Sequence, residues 1–174
     1  RFHAEARHWK EIYQLDDLTS RIYQLRRDRT LATIDNLGLA HGRILEIGCG
    51  AGLAAVVLAQ RGHDVQAVDR LESMVTLTRQ LAVESGVSHR LTARTCDVHD
   101  LPFADNGFDL VVALGVFPWL HSPNRALREM ARVLNPAGHL ILTADNRWCV
   151  NYVFDPFCSP LLRPVRRMMR DTLI

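Results

Sequence analysis

Lysine is almost absent from this 174-residue chain: Lys10 stands alone, and arginine supplies nearly all of the positive charge. The net charge is only +2, too small to imply a nucleic-acid partner, so the arginine bias reads as the mark of a GC-rich genome. Cysteine is scarce, and Cys49, Cys96, Cys149 and Cys158 form no CxxC pair. That spacing argues against a zinc site and gives no disulfide framework; reduced thiols are expected. No apolar run approaches membrane-spanning length. The first residues, Arg1 to His8, lack the apolar core of a signal peptide, so a cytoplasmic location is the default expectation. The chain opens on Arg1, as expected of a piece of a longer product. There is no internal repeat, no low-complexity linker, and no basic groove interleaved with aromatic residues of the kind that reads RNA or DNA. Hydrophobic content of 48% suits one core and is too little for two ordinary domains.

What is present is an alternation of strand and helix patterns behind an N-terminal arm. From about Trp9 to Leu37 apolar residues recur at three- and four-residue steps, a helical period, with a break expected at Asp16 to Ser20 where capping residue types cluster. Gly38 and Gly42 punctuate the approach to the first strand. Further strands are expected at 65–69, 91–96, 109–114 and 139–144, with helices at 53–59, 72–84 and 123–134. Strands separated by helices of this length call for crossovers and a parallel sheet. The expected class is α/β, a doubly wound, mostly parallel sheet. Residues 1–40 would form a helical arm, 41–146 the ligand-binding core and 147–174 a helical C-terminal segment.

The most informative segment is Ile44-Leu45-Glu46-Ile47-Gly48-Cys49-Gly50-Ala51-Gly52. A buried strand runs into a loop with glycine at every second position, then into an apolar helix whose first turn offers unpaired N–H groups. That order builds a nucleotide site at the carboxyl edge of a parallel sheet. A dinucleotide fingerprint needs a third glycine where this chain has Leu53. Glu46 would also face a pyrophosphate at close range, and a carboxylate there suits a cationic ligand. Asp69 ends the second strand 17 residues past Gly52, where a carboxylate reaches ribose hydroxyls; the alternative is a cap on the following helix.

The glycine segment resembles the (D/E)xGxGxG motif of class I S-adenosylmethionine-dependent methyltransferases. The chain is similar to that family in four further blocks, in order: Asp69, Asp97-Val98-His99-Asp100-Leu101-Pro102-Phe103, Phe108 to Val116, and Ala131 to Leu140. Together they span about three-fifths of the chain. Ala137 departs from the usual glycine, at a position away from the expected ligand. The resemblance implies a Rossmann-like fold and S-adenosyl-L-methionine as cofactor. It further implies cofactor contacts at Glu46, Gly48, Cys49, Gly50, Gly52, Asp69, Arg70, Met74, Asp97, Val98, Leu114 and Gly115, with Asp97 accepting from the adenine amine and Arg70 and Met74 flanking the ring. An N-terminal helix over the cofactor would bring Tyr13, with Arg26 or Arg27, to its methionine end; the arginines equally suit a solvated face. No metal is implied. The family normally adds two more strands; with about 29 residues after the fifth strand, they are expected to be absent here, supplied by sequence beyond Ile174 or replaced by a partner chain.

The acceptor is less legible. The family places it beyond the fourth strand, where His121 is the candidate base and otherwise a loop histidine. His99 and Asp145 are weaker candidates. Phe117 and Trp119 could wall an apolar acceptor pocket or simply pack the core. The reading that follows is methyl transfer to a small molecule, with oxygen the commonest acceptor atom. A cofactor-binding module without catalysis is the alternative, and a nicotinamide enzyme is disfavoured by Leu53 and Glu46. The arginine-rich tail from Pro160 suits a helix on the sheet, an acceptor cap or a lipid contact. A homodimer is compatible with all of this.

Overall fold

The computed structural model describes residues 18–144, and Tyr13, Asp145 and the tail lie outside the described residues. Chain contacts divide the molecule into Arg1–Thr143 and Ala144–Ile174. Within the first unit the order is α1 (Leu18–Asn36), β1 (Arg43–Ile47), α2 (Leu53–Gln60), β2 (Asp64–Asp69), α3 (Glu72–Glu84), β3 (Leu91–Thr95), β4 (Phe108–Ala113), a 3-10 turn (Phe117–Trp119), α4 (Pro123–Val133) and β5 (Leu134–Leu142). Five parallel strands form one sheet in the order β3-β2-β1-β4-β5. The order reverses direction at β1, so β1 and β4 part above their carboxyl ends. In open α/β sheets, ligands bind in the crevice at such a reversal.

Alternation along the strands sorts the core into two layers. Ile44, Val65, Ala67, Leu110 and Val112 face Leu31 and Ile34 of α1, four residues of α2, and Val75 and Ala82 of α3. Leu45, Ile47, Val68, Val111 and Ala113 face Ala126, Met130 and Val133 of α4. Those three residues of α4 recur at four- and three-residue steps, a single buried stripe. Helix α2 is buried along Ala54, Ala55, Val56, Leu58 and Ala59, and its alanines let the helix lie close to the sheet. No described helix is long and apolar enough to cross a membrane.

Most element boundaries fall within one residue of those expected from the sequence, and two expectations are corrected. The turn and restart expected at Asn135 to Gly138 is instead part of β5. Phe108 pairs with Leu134 and Leu110 with His139, so four residues bulge outward on β5 between two pairs and the strand resumes. Asn135 Nδ2 donates to Asp109 Oδ1 at 2.5 Å and anchors the bulge. Gly138 is needed there because a β-carbon would meet Leu134 and the Asn135 carbonyl at 2.8–3.0 Å, whereas Ala137 is exposed and tolerates its methyl.

The second correction concerns α1. Of the break expected at Asp16 to Ser20, Leu18, Thr19 and Ser20 are already helical, while Asp16 and Asp17 lie outside the described residues. The apolar stripe also divides: Leu31 and Ile34 are buried, but Leu18, Ile22 and Leu25 are exposed. Met130→Ala, at a fully buried site, should lose about 2–5 kcal/mol of stability. Leu25→Ala should lose less than about 0.5 kcal/mol. Urea unfolding midpoints compare the two, and equal losses would contradict this division of the helix.

Candidate functional site

At the carboxyl end of β1 the chain turns sharply, and Gly48, Gly50 and Gly52 all have positive φ, at 69°, 54° and 82°. Their surroundings differ. A β-carbon on Gly48 would stand 2.5 Å from Val116, and one on Gly52 would stand 2.7–2.9 Å from Thr78 of α3. At Gly50 it would meet nothing within 4 Å. The outer glycines are thus packed in place, and the middle one offers bare backbone to open space. The Gly48 and Cys49 amides both donate to Val68 O, at 2.8 and 3.1 Å. Gly50 N donates to Asp69 Oδ2 at 3.0 Å, and Thr78 Oγ1 donates to Gly50 O at 3.0 Å.

Below this loop lies Glu46, 3% exposed, with its Oε2 buried and unpartnered among the described residues. Burial pushes its pKa up to about 8; the Ala55 backbone amide opposes the shift and the Asp69 charge adds to it. An unpaired carboxyl oxygen in such a place costs free energy until a cation or donor reaches it. Cys49 is buried beside it, its Sγ 3.4 Å from Thr78 Oγ1. Burial first and the Glu46 charge second push this thiol far up, which removes it as a nucleophile at neutral pH.

Asp69 closes β2 with both oxygens on backbone amides, Oδ2 on Gly50 and Oδ1 on Leu71 at 2.9 Å. It does not cap α3, whose N-cap is Leu71 without a side-chain bond. Each oxygen keeps a second lone pair for another donor. Arg70 is exposed beside it, and Met74 is buried on the inner side of α3. At the end of β3, Val98 is buried and the Asp97 side chain is 52% exposed. Asp97 Oδ1 accepts from the His99 backbone amide at 2.9 Å and is 2.6 Å from His99 Nδ1. Those two bonds, from the His99 amide first and its ring second, lower the Asp97 pKa.

The fourth corner is the end of β4. Leu114 is half-buried, and Gly115, with φ 69°, donates its amide to Thr143 Oγ1 at 2.7 Å. A β-carbon there would stand 2.9 Å from the Arg26 guanidinium, so Arg26 of α1 lies over this strand end. Arg27 instead pairs with Asp28 at 2.8 Å. Phe117 is half-buried and Trp119 is 83% exposed. His121 does not stand alone in its loop: its ring packs on that of His99, centroids 3.8 Å apart.

The structure therefore brings Glu46, the glycine loop and Asp69 together, groups Asp97, Val98, His99 and His121, and sets Arg26 at Gly115. Sequence reasoning missed Thr78, Val116 and Thr143. Each acts through a contact with a glycine distant in sequence, which no local pattern announces.

Comparison with known proteins agrees with this architecture. A family model described as a methyltransferase domain matches residues 45–142, more than half of the chain. The chain belongs to the class I S-adenosylmethionine-dependent methyltransferases. It is 31% identical over 148 residues, 84% of its length, to the ubiquinone biosynthesis O-methyltransferase of Xanthomonas oryzae pv. oryzae, of which it spans 60%. It thus covers about three-fifths of that relative. Among solved structures, a methyltransferase from Methanococcus maripaludis matches with a TM-score of 0.69 at 22% identity, over 95% of this chain and 70% of the other. The [4+2]-cyclase SpnF matches with a TM-score of 0.60 at 32% identity, over 71% of this chain and 44% of that one.

The methyl donor of the methyltransferase family carries a sulfonium and an ammonium, and the residues here fit it. The orphaned Glu46 oxygen can accept a cationic donor, and the open face of Gly50 leaves room against the backbone. Among the described residues there is no His, Cys, Asp and Glu grouping able to hold a metal.

Two measurements follow. Gly50→Ala meets no neighbour but must hold a positive φ, costing about 1–2 kcal/mol. Gly52→Ala adds a clash with Thr78 and should lower the urea midpoint further; the reverse ranking would contradict this packing. For Glu46, the folded carboxyl titrates near 8 and the unfolded one near 4.5. Between those values the folded chain keeps a proton that the unfolded chain has lost. Stability therefore falls as pH rises through the window, by at most about 1.4 kcal/mol per unit. Glu46→Gln should flatten that part of the stability curve, and an unchanged slope would remove Glu46 as its source.

Proposed function

We propose that this protein transfers a methyl group from S-adenosylmethionine to a hydroxyl of a small molecule, an aromatic ring hydroxyl being the favoured class. The observation that carries the reading is the buried, unpartnered Glu46 oxygen beneath a glycine loop whose middle residue faces open space. Support for an oxygen acceptor comes from the likeness to an O-methyltransferase of ubiquinone biosynthesis.

The cofactor supplies a methyl group on a sulfonium, which a nucleophile displaces in line. The chain's own residues bind and orient. Glu46 gives up its proton and offers negative charge to the cationic end. Asp69, already held by Gly50 and Leu71, turns its remaining lone pairs to the ribose hydroxyls. Asp97 takes the adenine amine through Oδ2, which carries no hydrogen bond among the described residues. Gly48, Cys49, Gly50, Gly52, Arg70, Met74, Val98, Leu114 and Gly115 complete the proposed cofactor boundary. The Arg26 guanidinium, which lies over Gly115, would pair with the cofactor's carboxylate. Holding two reactants at attack distance supplies much of the acceleration of such a displacement. His121 stays the proposed base: its ring packs on His99 at the Asp97 corner, and a face contact leaves a ring nitrogen able to accept a proton.

A second reading keeps cofactor binding without methyl transfer. It is favoured by the likeness to a [4+2]-cyclase at 32% identity, since one fold hosts many chemistries.

Calorimetry with S-adenosylhomocysteine should show binding that Asp69→Ala weakens by about tenfold or more, and no binding at millimolar ligand would sink both readings. Affinity for S-adenosylmethionine should rise up to about tenfold per pH unit from pH 6 toward 8 as Glu46 ionises, with proton release detected in buffers of different ionisation enthalpy. Glu46→Gln should abolish that release. Binding with no labelled methyl transferred to a panel of phenols and catechols would favour the second reading.

A further inference from the structure

We propose that His99 is a positioning residue that aims the Asp97 carboxylate at the purine amine of the cofactor, and that His121 holds His99 in that pose. This rests on the reading of Asp97 as the adenine contact. An aspartate half exposed at a strand end has a broad χ2 distribution, and nothing in its own rotamers decides which oxygen faces a ligand. Here Oδ1 takes two bonds from one residue, 2.9 Å from the His99 amide and 2.6 Å from Nδ1. The backbone bond is an ordinary Asx turn, common for aspartate. The ring bond is not required by the turn. With both lone pairs of Oδ1 engaged, Oδ2 is the oxygen left to face the cofactor.

The chemistry of the ring fixes its tautomer. Because the carboxylate only accepts, Nδ1 must carry the hydrogen. The His99 side chain is only 6% exposed, and its Nε2 is buried without a partner among the described residues. A cationic His99 would therefore bury an unmatched charged N–H donor beside the His121 ring. The charged and titratable groups that share this corner are Asp97, Cys96, Asp100, His121, Arg94 and Glu129, whose Oε2 accepts from the Leu101 amide and from Arg132. A hydrogen on Nδ1 meets the Asp97 carboxylate, and the ring geometry asks for nothing more. His121 sits just before Ser122, the N-cap of α4, so the stack braces His99 with the end of a packed helix. Nothing in the sequence pairs these residues, which stand 22 positions apart.

The readout is base preference, which a general structural weakening would not move. Calorimetry on the whole chain compares S-adenosylhomocysteine with S-inosylhomocysteine, in which a ring oxygen substituent replaces the amine. The wild type should prefer the adenosyl compound by roughly 10- to 100-fold, the range of one hydrogen bond to a charged group. His99→Ala should cut that preference at least about fivefold while leaving affinity for the inosyl compound nearly unchanged. His99→Asn, whose amide N–H stands where Nδ1–H stood, should restore it; His99→Gln, with its donor displaced, should not. His121→Ala should reduce the preference by a smaller factor. If Asp97→Asn abolishes the preference and His99→Ala keeps it, the adenine reading stands and the positioning role is overturned. If the wild type shows no preference, or Asp97→Asn keeps it, the adenine reading fails and takes this proposal with it. Should His99→Ala not fold, nitrogen-15 NMR of the wild type decides: the Nδ1–H tautomer is expected at His99, its signals moving when S-adenosylhomocysteine is added, and an Nε2–H tautomer would overturn the proposal.

Discussion

The hydrogen bond from the Gly50 amide to the Asp69 carboxylate joins the ends of two neighbouring strands, and the site is arranged around it. It draws the glycine loop toward β2, aided by the Gly48 and Cys49 amides on Val68 O. It also fixes the carboxylate that we propose meets the ribose. A carboxylate that already accepts two backbone amides is held in orientation before any ligand arrives, so little ordering remains to be done on binding. The loop can approach this closely only because it lacks side chains at alternate positions and bends through positive φ.

Glu46 sets the opposite constraint. The strand alternation that buries Ile44 on one face and Leu45 on the other places Glu46 on the face covered by α2, where its carboxyl has one backbone donor and, among the described residues, no counter-ion. Such an arrangement is unfavourable to the empty protein, and a hydrophobic residue would pack there at less cost. Natural folds retain features of this kind at functional sites.

Much of the scaffold was legible in the sequence because it rests on local rules. The succession of strand and helix patterns gave the order of the elements, and the glycine run gave the loop. What was not legible depends on tertiary contacts. Asn135-Pro136-Ala137-Gly138 looks like a turn to any local rule, yet it is a bulge because Leu134 finds a partner at Phe108 across the sheet. Leu18, Ile22 and Leu25 keep the helical period without a surface to bury against among the described residues. At the site, the residue types at Glu46, Asp69 and Asp97 could be read from motif order, but their hydrogen bonds could not. The pairing of His99 with His121 needed coordinates, since imidazoles so far apart in sequence carry no shared pattern.

The glycine loop has a further consequence for how the chain folds. Gly48 is packed by Val116 from beyond β4, and Gly52 by Thr78 from α3, so the loop's shape is imposed by segments 26 to 68 residues away. Such contacts raise the contact order of the site above that of the helices flanking it. A partly assembled chain, with β1 and β2 paired but β4 not yet docked, has the glycines without the walls that shape them. A cofactor that recognises only the finished loop binds the native state alone and stabilises it by mass action. Occupancy thus selects complete molecules from incomplete ones, and in a cell it would lengthen the survival of chains that have finished folding.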